Sequence, residues 1–133
     1  MDLNKMRFDN SISVGHHTIW DVYQCDVEKS SFVEPIKKIL HTIVDELQLG
    51  KVEEAYKQFE PFGATGFILL EESHISIHTW PEKGYVAIDV FSCKPFDIEN
   101  INAIIKDFFQ TDLIDTKVIT RGNSFKIDAE KVS

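Results

Sequence analysis

Cysteine is scarce: the 133 residues include two, Cys25 and Cys93, with no Cys-x-x-Cys pair. That spacing excludes a disulfide-stapled scaffold and points to a reducing, cytoplasmic compartment. Positive charge is also short. The 14 Lys and Arg are outnumbered by 22 Asp and Glu, for a formal net charge of -8. A nucleic-acid partner is therefore not expected, because a phosphate backbone needs a net basic face. No apolar run approaches the roughly 20 residues of a membrane span, so no membrane partner is expected either. Met1 to Asn10 alternates charged and apolar residues without an apolar h-region, so no secretory signal is visible. Internal repeats and low-complexity segments are missing too. What is there is ordinary globular composition, 43% hydrophobic and 27% charged. The length predicts one domain, 1–133, able to bury a core without a metal or disulfides.

The pattern predicts a β, α, several β, α, β order after a short arm at 1–12. Ile19, Trp20, Val22 and Tyr23 mark a first strand within 13–23. Ser31-Phe32-Val33-Glu34 fits a capping box, with Pro35 in the first turn of the helix that follows. Ile36, Ile39, Leu40, Ile43, Val44 and Leu47 recur at the spacing of one helix face, and Gly50 is a plausible stop. Lys51–Phe59 mixes both patterns, with strand preferred. Glu60–Gly63 reads as a turn. Strand-like runs follow at Thr65–Leu70, Ile75–Thr79 and Tyr85–Phe91, the last two joined by the turn Pro81–Gly84. Asp97 caps a second helix with Ile98, Ile101, Ile104, Ile105 and Phe108 on its apolar face, and Phe96 is placed to pack on Ile101 as a hydrophobic staple. A last strand covers Asp115–Arg121. Short turns favour antiparallel neighbours. The expected fold is α+β, a two-layer sandwich of an antiparallel sheet packed against two helices.

The chemistry concentrates in Glu71-Glu72-Ser73-His74-Ile75-Ser76-Ile77-His78-Thr79-Trp80-Pro81-Glu82. Strand alternation puts His74, Ser76 and His78 on one face and Ile75 and Ile77 on the other. His74 and His78 are about 13 Å apart along a strand, whereas one zinc needs both ring nitrogens within about 2.1 Å, so no metal is expected from that pair. Ser73 lacks the Gly-x-Ser-x-Gly elbow of a hydrolase nucleophile. A Cys93–His78 nucleophile pair stays open. So does self-processing. Here the Ser73 hydroxyl attacks the carbonyl of Glu72 and converts amide to ester; β-elimination then frees the Glu72 carboxylate and leaves dehydroalanine, which water hydrolyses to a pyruvoyl group and ammonia. Such a group forms a Schiff base with an amine and acts as an electron sink.

Gly63-Ala64-Thr65-Gly66, the run from Glu72 to Glu82, and Asp89-Val90-Phe91-Ser92-Cys93 resemble the prokaryotic S-adenosylmethionine decarboxylase proenzymes. The resemblance runs from about Asp21 through Cys93 and is weaker in the C-terminal third. It implies cleavage between Glu72 and Ser73 into a β chain, 1–72, and an α chain, 73–133, which begins with pyruvoyl. It implies His78 as the processing base for β-elimination, Thr65 as the hydroxyl supporting the ester, and Cys93 as the proton donor to the substrate carbon. It also implies Glu82 on the ribose hydroxyls, Phe59 stacked on adenine and Ile75 along the adenine pocket. These roles suit the residue types: a carboxylate has acceptors for a diol, aromatic faces suit a sulfonium-bearing adenine, and a thiol can donate a proton. The implied activity is decarboxylation of S-adenosylmethionine to the aminopropyl donor of spermidine biosynthesis, by a homodimer of αβ protomers. His16-His17, Thr18-Ile19-Trp20, Gln24 and Phe62–Thr65 depart from the usual pattern, which keeps two alternatives open. One is the same pyruvoyl chemistry on arginine or ornithine. The other is an unprocessed homologue that acts as a binding or partner subunit.

Overall fold

The structure, a computed structural model, describes residues 14–122. The arm at 1–12 and the polar tail lie outside the described residues. Six strands form one sheet: β1 (Gly15–Val22), β2 (Lys51–Gln58), β3 (Ala64–Leu70), β4 (His74–Trp80), β5 (Tyr85–Ser92) and β6 (Ile114–Arg121). Their spatial order is β2-β3-β4-β5-β1-β6, and every neighbouring pair is antiparallel. Three helices, α1 (Val27–Ser31), α2 (Val33–Leu47) and α3 (Ile98–Phe109), accompany the sheet. The two-layer α+β sandwich is as expected, with the short α1 as an addition.

Alternation decides which side of the sheet the helices take. Ile75, Ile77, Val86, Ile88, Val90, Trp20 and Val22 are fully buried against them, together with Ile36, Ile39, Leu40 and Ile43 of α2. From α3, Ile101, Ile105 and Phe109 are buried, while Ile104 and Phe108 only flank the core. The apolar stripe of α3 thus extends one residue beyond its sequence reading, to Phe109. Asp97 caps α3 as expected, accepting from the Asn100 amide at 3.3 Å. Phe96 packs on the same core, 6.5 Å from the Trp20 ring. Gly66 lets β3 pass close under α2: a Cβ there would lie 2.9 Å from Tyr56 and 3.0 Å from Leu40. The other sheet face, carrying His17, Asp21, Phe67, Leu69, His74, Ser76, His78, Trp80 and Asp89, has no helix over it among the described residues.

Two expected helix ends differ. Ser31 belongs to α1, where its hydroxyl donates to the Val27 carbonyl at 2.6 Å, so it cannot open a capping box for α2. The α2 cap comes instead from β2, where Gln58 Oε1 accepts from the Val33 amide at 2.9 Å. That partner is 25 residues away and carries no local signal. At the other end Gln48, in the left-handed conformation (φ 56°), stops α2 by donating to the Val44 and Asp45 carbonyls. Gly50, the expected stop, lies beyond that cap.

Candidate active site

Two cavities hold most of the residues singled out above, at opposite ends of β4. The first surrounds Ser73. The Leu70 amide donates to the Ser73 carbonyl at 2.9 Å, so β3 and β4 are joined by a hairpin whose two loop residues are Glu71 and Glu72. The Glu72–Ser73 bond therefore sits at a hairpin tip, with Glu72 exposed and Ser73 buried. Cys93 follows β5, the next strand over. Its thiol donates to the Glu72 carbonyl at 3.2 Å. Gln48, Leu49, Gly50, Glu71 and Lys94 complete a cavity of about 280 Å³.

The second cavity, about 340 Å³, lies at the other end of the strand and is lined by Phe59, Thr65, His78 and Glu82 together with Phe62, Gly63, Thr79 and Trp80. Thr65 on β3 faces His78 on β4, and Thr65 Oγ1 is 3.0 Å from His78 Nδ1. The Phe59 wall is built from a distance. Gln58 Nε2 donates at 3.0 Å to the carbonyls of Ser31, Phe59 and Gly63, and the Gly63 amide donates to Ser31 at 2.8 Å. Gly63 takes φ +108°, which suits glycine alone. Thr79 ties the start of β3 in place by accepting from the Ala64 amide at 2.9 Å. Phe62 and Trp80 were missed as lining residues. Trp80 lay within the conspicuous run, two positions after His78, where strand alternation places both side chains on one face.

Each cavity is incomplete for the expected chemistry. Five extended residues separate Ser73 from His78, about 16 Å at about 3.3 Å per residue. Proton transfer needs heavy atoms roughly 3 Å apart. The Cys93–His78 nucleophile pair fails on the same ground, since His78 pairs with Ala87 on β5 while Cys93 lies beyond that strand's far end. Ile75 is also displaced from its expected role: it is fully buried under the helices, so its side chain is core and does not face a ligand. His74 and His78 do not converge, and His74 turns toward His17 and Asp89 outside both cavities.

Residues 16–122 match the family described as S-adenosylmethionine decarboxylase. A protein of Sulfurihydrogenibium sp. (strain YO3AOP1) named S-adenosylmethionine decarboxylase proenzyme is 46% identical over 112 residues, covering 83% of this chain and 84% of the relative. One of the same name from Persephonella marina is 44% identical over 112 residues, with the same coverage of each, 83% and 84%. The crystal structure of the adenosylmethionine decarboxylase from Aquifex aeolicus superposes with a TM-score of 0.75 at 39% identity, covering 83% of this chain and 92% of that one. A Trypanosoma brucei AdoMetDC monomer shares the fold, with a TM-score of 0.59 at 12% identity over 77% of this chain and 45% of that one.

Proposed function

The chain belongs to the S-adenosylmethionine decarboxylase family, and from that premise we propose that it cleaves itself at Glu72–Ser73 and then decarboxylates S-adenosylmethionine to the aminopropyl donor of spermidine synthesis. The observation that carries the reading is the hydrogen bond from Cys93 to the Glu72 carbonyl. That carbonyl is the one the Ser73 hydroxyl must attack. Charge develops on its oxygen during attack, and a donor already aimed there lowers the barrier. A full oxyanion donor is worth a factor of about 100 to 1000; a thiol, a weaker donor, supplies less.

His78 takes the α-proton of residue 73 during elimination. That role uses the tautomer in which Nδ1–H donates to Thr65, leaving the Nε2 lone pair free. The hairpin position suits a cut. The products 1–72 and 73–133 stay interlocked, because β3 pairs with β4 across the break and β1 lies between β5 and β6. A pyruvoyl group at position 73, beside Cys93, would supply the amine-reactive ketone and electron sink that decarboxylation needs. Cys93, beside that position, delivers a proton to the substrate carbon. Glu82 offers two acceptor oxygens to a ribose diol, and Phe59 offers a face to adenine, with Phe62 and Trp80 alongside.

A homodimer follows from the split site. The open sheet face exposes Tyr23, Phe67, Leu69, Trp80 and Ile119, each about two-fifths or more accessible. Two copies packed face to face about a twofold axis would set the Ser73 end of one over the His78 end of the other, giving two composite sites. No helix among the described residues is long and apolar enough to cross a membrane. The two free cysteines, one of them the proposed proton donor, support a reducing, cytoplasmic compartment.

Denaturing mass spectrometry and carbon dioxide release test the function. The expected result is two fragments, split at residue 73, and release from carboxyl-labelled S-adenosylmethionine. An intact chain, or release from arginine or ornithine alone, overturns it.

A further inference from the structure

We propose that His17, His74 and Asp89 bind one divalent transition-metal ion of the zinc class on the open face of the sheet. The three residues come from the adjacent strands β1, β4 and β5. His17 and His74 both lie opposite Phe91, one on each side of β5, and Asp89 is two residues along on the same face. Asp89 Oδ2 is 2.6 Å from His17 Nε2 and 3.7 Å from His74 Nε2. All three donor atoms lie within 4.8 Å of one another. Ligands around a tetrahedral zinc stand about 3.3 Å apart, so seating an ion takes shifts of about 1 Å.

The surroundings favour a site over a chance cluster. The Ser76 hydroxyl donates to the other Asp89 oxygen, Oδ1, which orients the carboxylate and leaves Oδ2 for the ion. Phe67 stacks on the His74 ring at 5.5 Å, and Phe91 lies 6.0 Å from both histidine rings. All three side chains are partly shielded, with exposures of 22%, 35% and 25% for His17, His74 and Asp89. Two imidazoles and a carboxylate suit Zn²⁺, Co²⁺ or Ni²⁺ rather than Mg²⁺ or Ca²⁺, which take oxygen ligands. Along one strand His74 had no partner within reach; folding supplies partners from two other strands.

Arg121 opposes loading. Its Nη1 lies 3.4 Å from His17 Nδ1. Coordination through Nε2 leaves a proton on Nδ1, so this exposed side chain must turn aside, and its guanidinium already sits 5.6 Å from the Phe91 ring centre. On the processing reading above, His17 belongs to the 1–72 piece and the other two ligands to the 73–133 piece, so an ion here would cross-link the cleaved chain.

The test is titration of the untagged, full-length Ser73→Ala chain with Co²⁺, followed by Zn²⁺ competition. This chain neither cleaves nor decarboxylates, so the result is independent of the activity. Saturation at about one ion per chain, with the visible bands of protein-bound Co²⁺, is expected. Asp89→Asn and His17→Gln should each weaken binding about tenfold or more. Arg121→Ala should tighten it about three- to tenfold by removing a neighbouring positive charge. Histidine ring ¹H–¹⁵N spectra of the parent chain guard against misfolded variants: Zn²⁺ should shift His17 and His74 and leave His41 unmoved. No saturable uptake, or uptake with these two rings unmoved, overturns the proposal.

Discussion

Mixing two inactive variants should restore activity if the active site is shared between chains. Ser73→Ala removes the nucleophile at one end of β4, and His78→Ala removes the base at the other. Each variant alone should neither cleave nor turn over. In a face-to-face dimer of one variant with the other, one composite site combines Ser73 of the His78→Ala chain with His78 of the Ser73→Ala chain. The second site carries both defects. Random pairing of equal amounts puts about half of the dimers in the mixed class, each with one of two sites intact, so activity should recover to about 25% of the parent. About a quarter of all chains should be cut, all of them His78→Ala chains. Co-expression followed by a denaturing gel and a carbon dioxide assay reads both numbers. The reasoning rests on the separation of about 16 Å along β4, far beyond the reach of a proton transfer. Complete absence of cleavage in the mixture, with mixed dimers present by mass, would refute it. So would cleavage in a monomeric parent.

Glu82→Gln keeps the shape of the side chain but removes a charged acceptor, a loss of about 1.5–3 kcal/mol, and should lower kcat/KM for S-adenosylmethionine by about 10- to 100-fold while self-cleavage proceeds. Gly66→Ala presses a methyl against Tyr56 and Leu40; thermal or urea unfolding should show a loss of about 1–3 kcal/mol. Glu54 accepts from Lys51 and from His41, the latter at 2.7 Å, and these contacts hold its carboxyl down at about 2. A depressed carboxylate stabilises the fold above its unfolded pKa of about 4.3, and that contribution is lost as pH falls toward about 2. Glu54→Gln should therefore be less stable than the parent at pH 7, and the gap should close across that window in acid unfolding curves.

The sequence alone determined a good deal. Spacing of 3.6 residues predicted both long helices, and β-branched, aromatic and alternating runs predicted the strands apart from Lys51–Gln58, whose mixed pattern only leaned to strand, because an element that buries one face records it in its period. Gly63–Gly66, the run from Glu72 to Glu82 and the segment ending at Cys93 were sufficient to indicate the family by resemblance, because a match that long and specific does not arise by chance. Tertiary structure decided what depends on neighbours distant in the chain. Gln58 rather than Ser31 caps α2, because a cap needs only an oxygen at the right point in space. Ile75 is core because the helices cover its side of the sheet. His78 cannot reach Ser73 in its own chain, because a β-strand holds residues five apart at a fixed length. For the same reason His74 and His78 stay apart, while sheet pairing brings His74 beside His17 and Asp89.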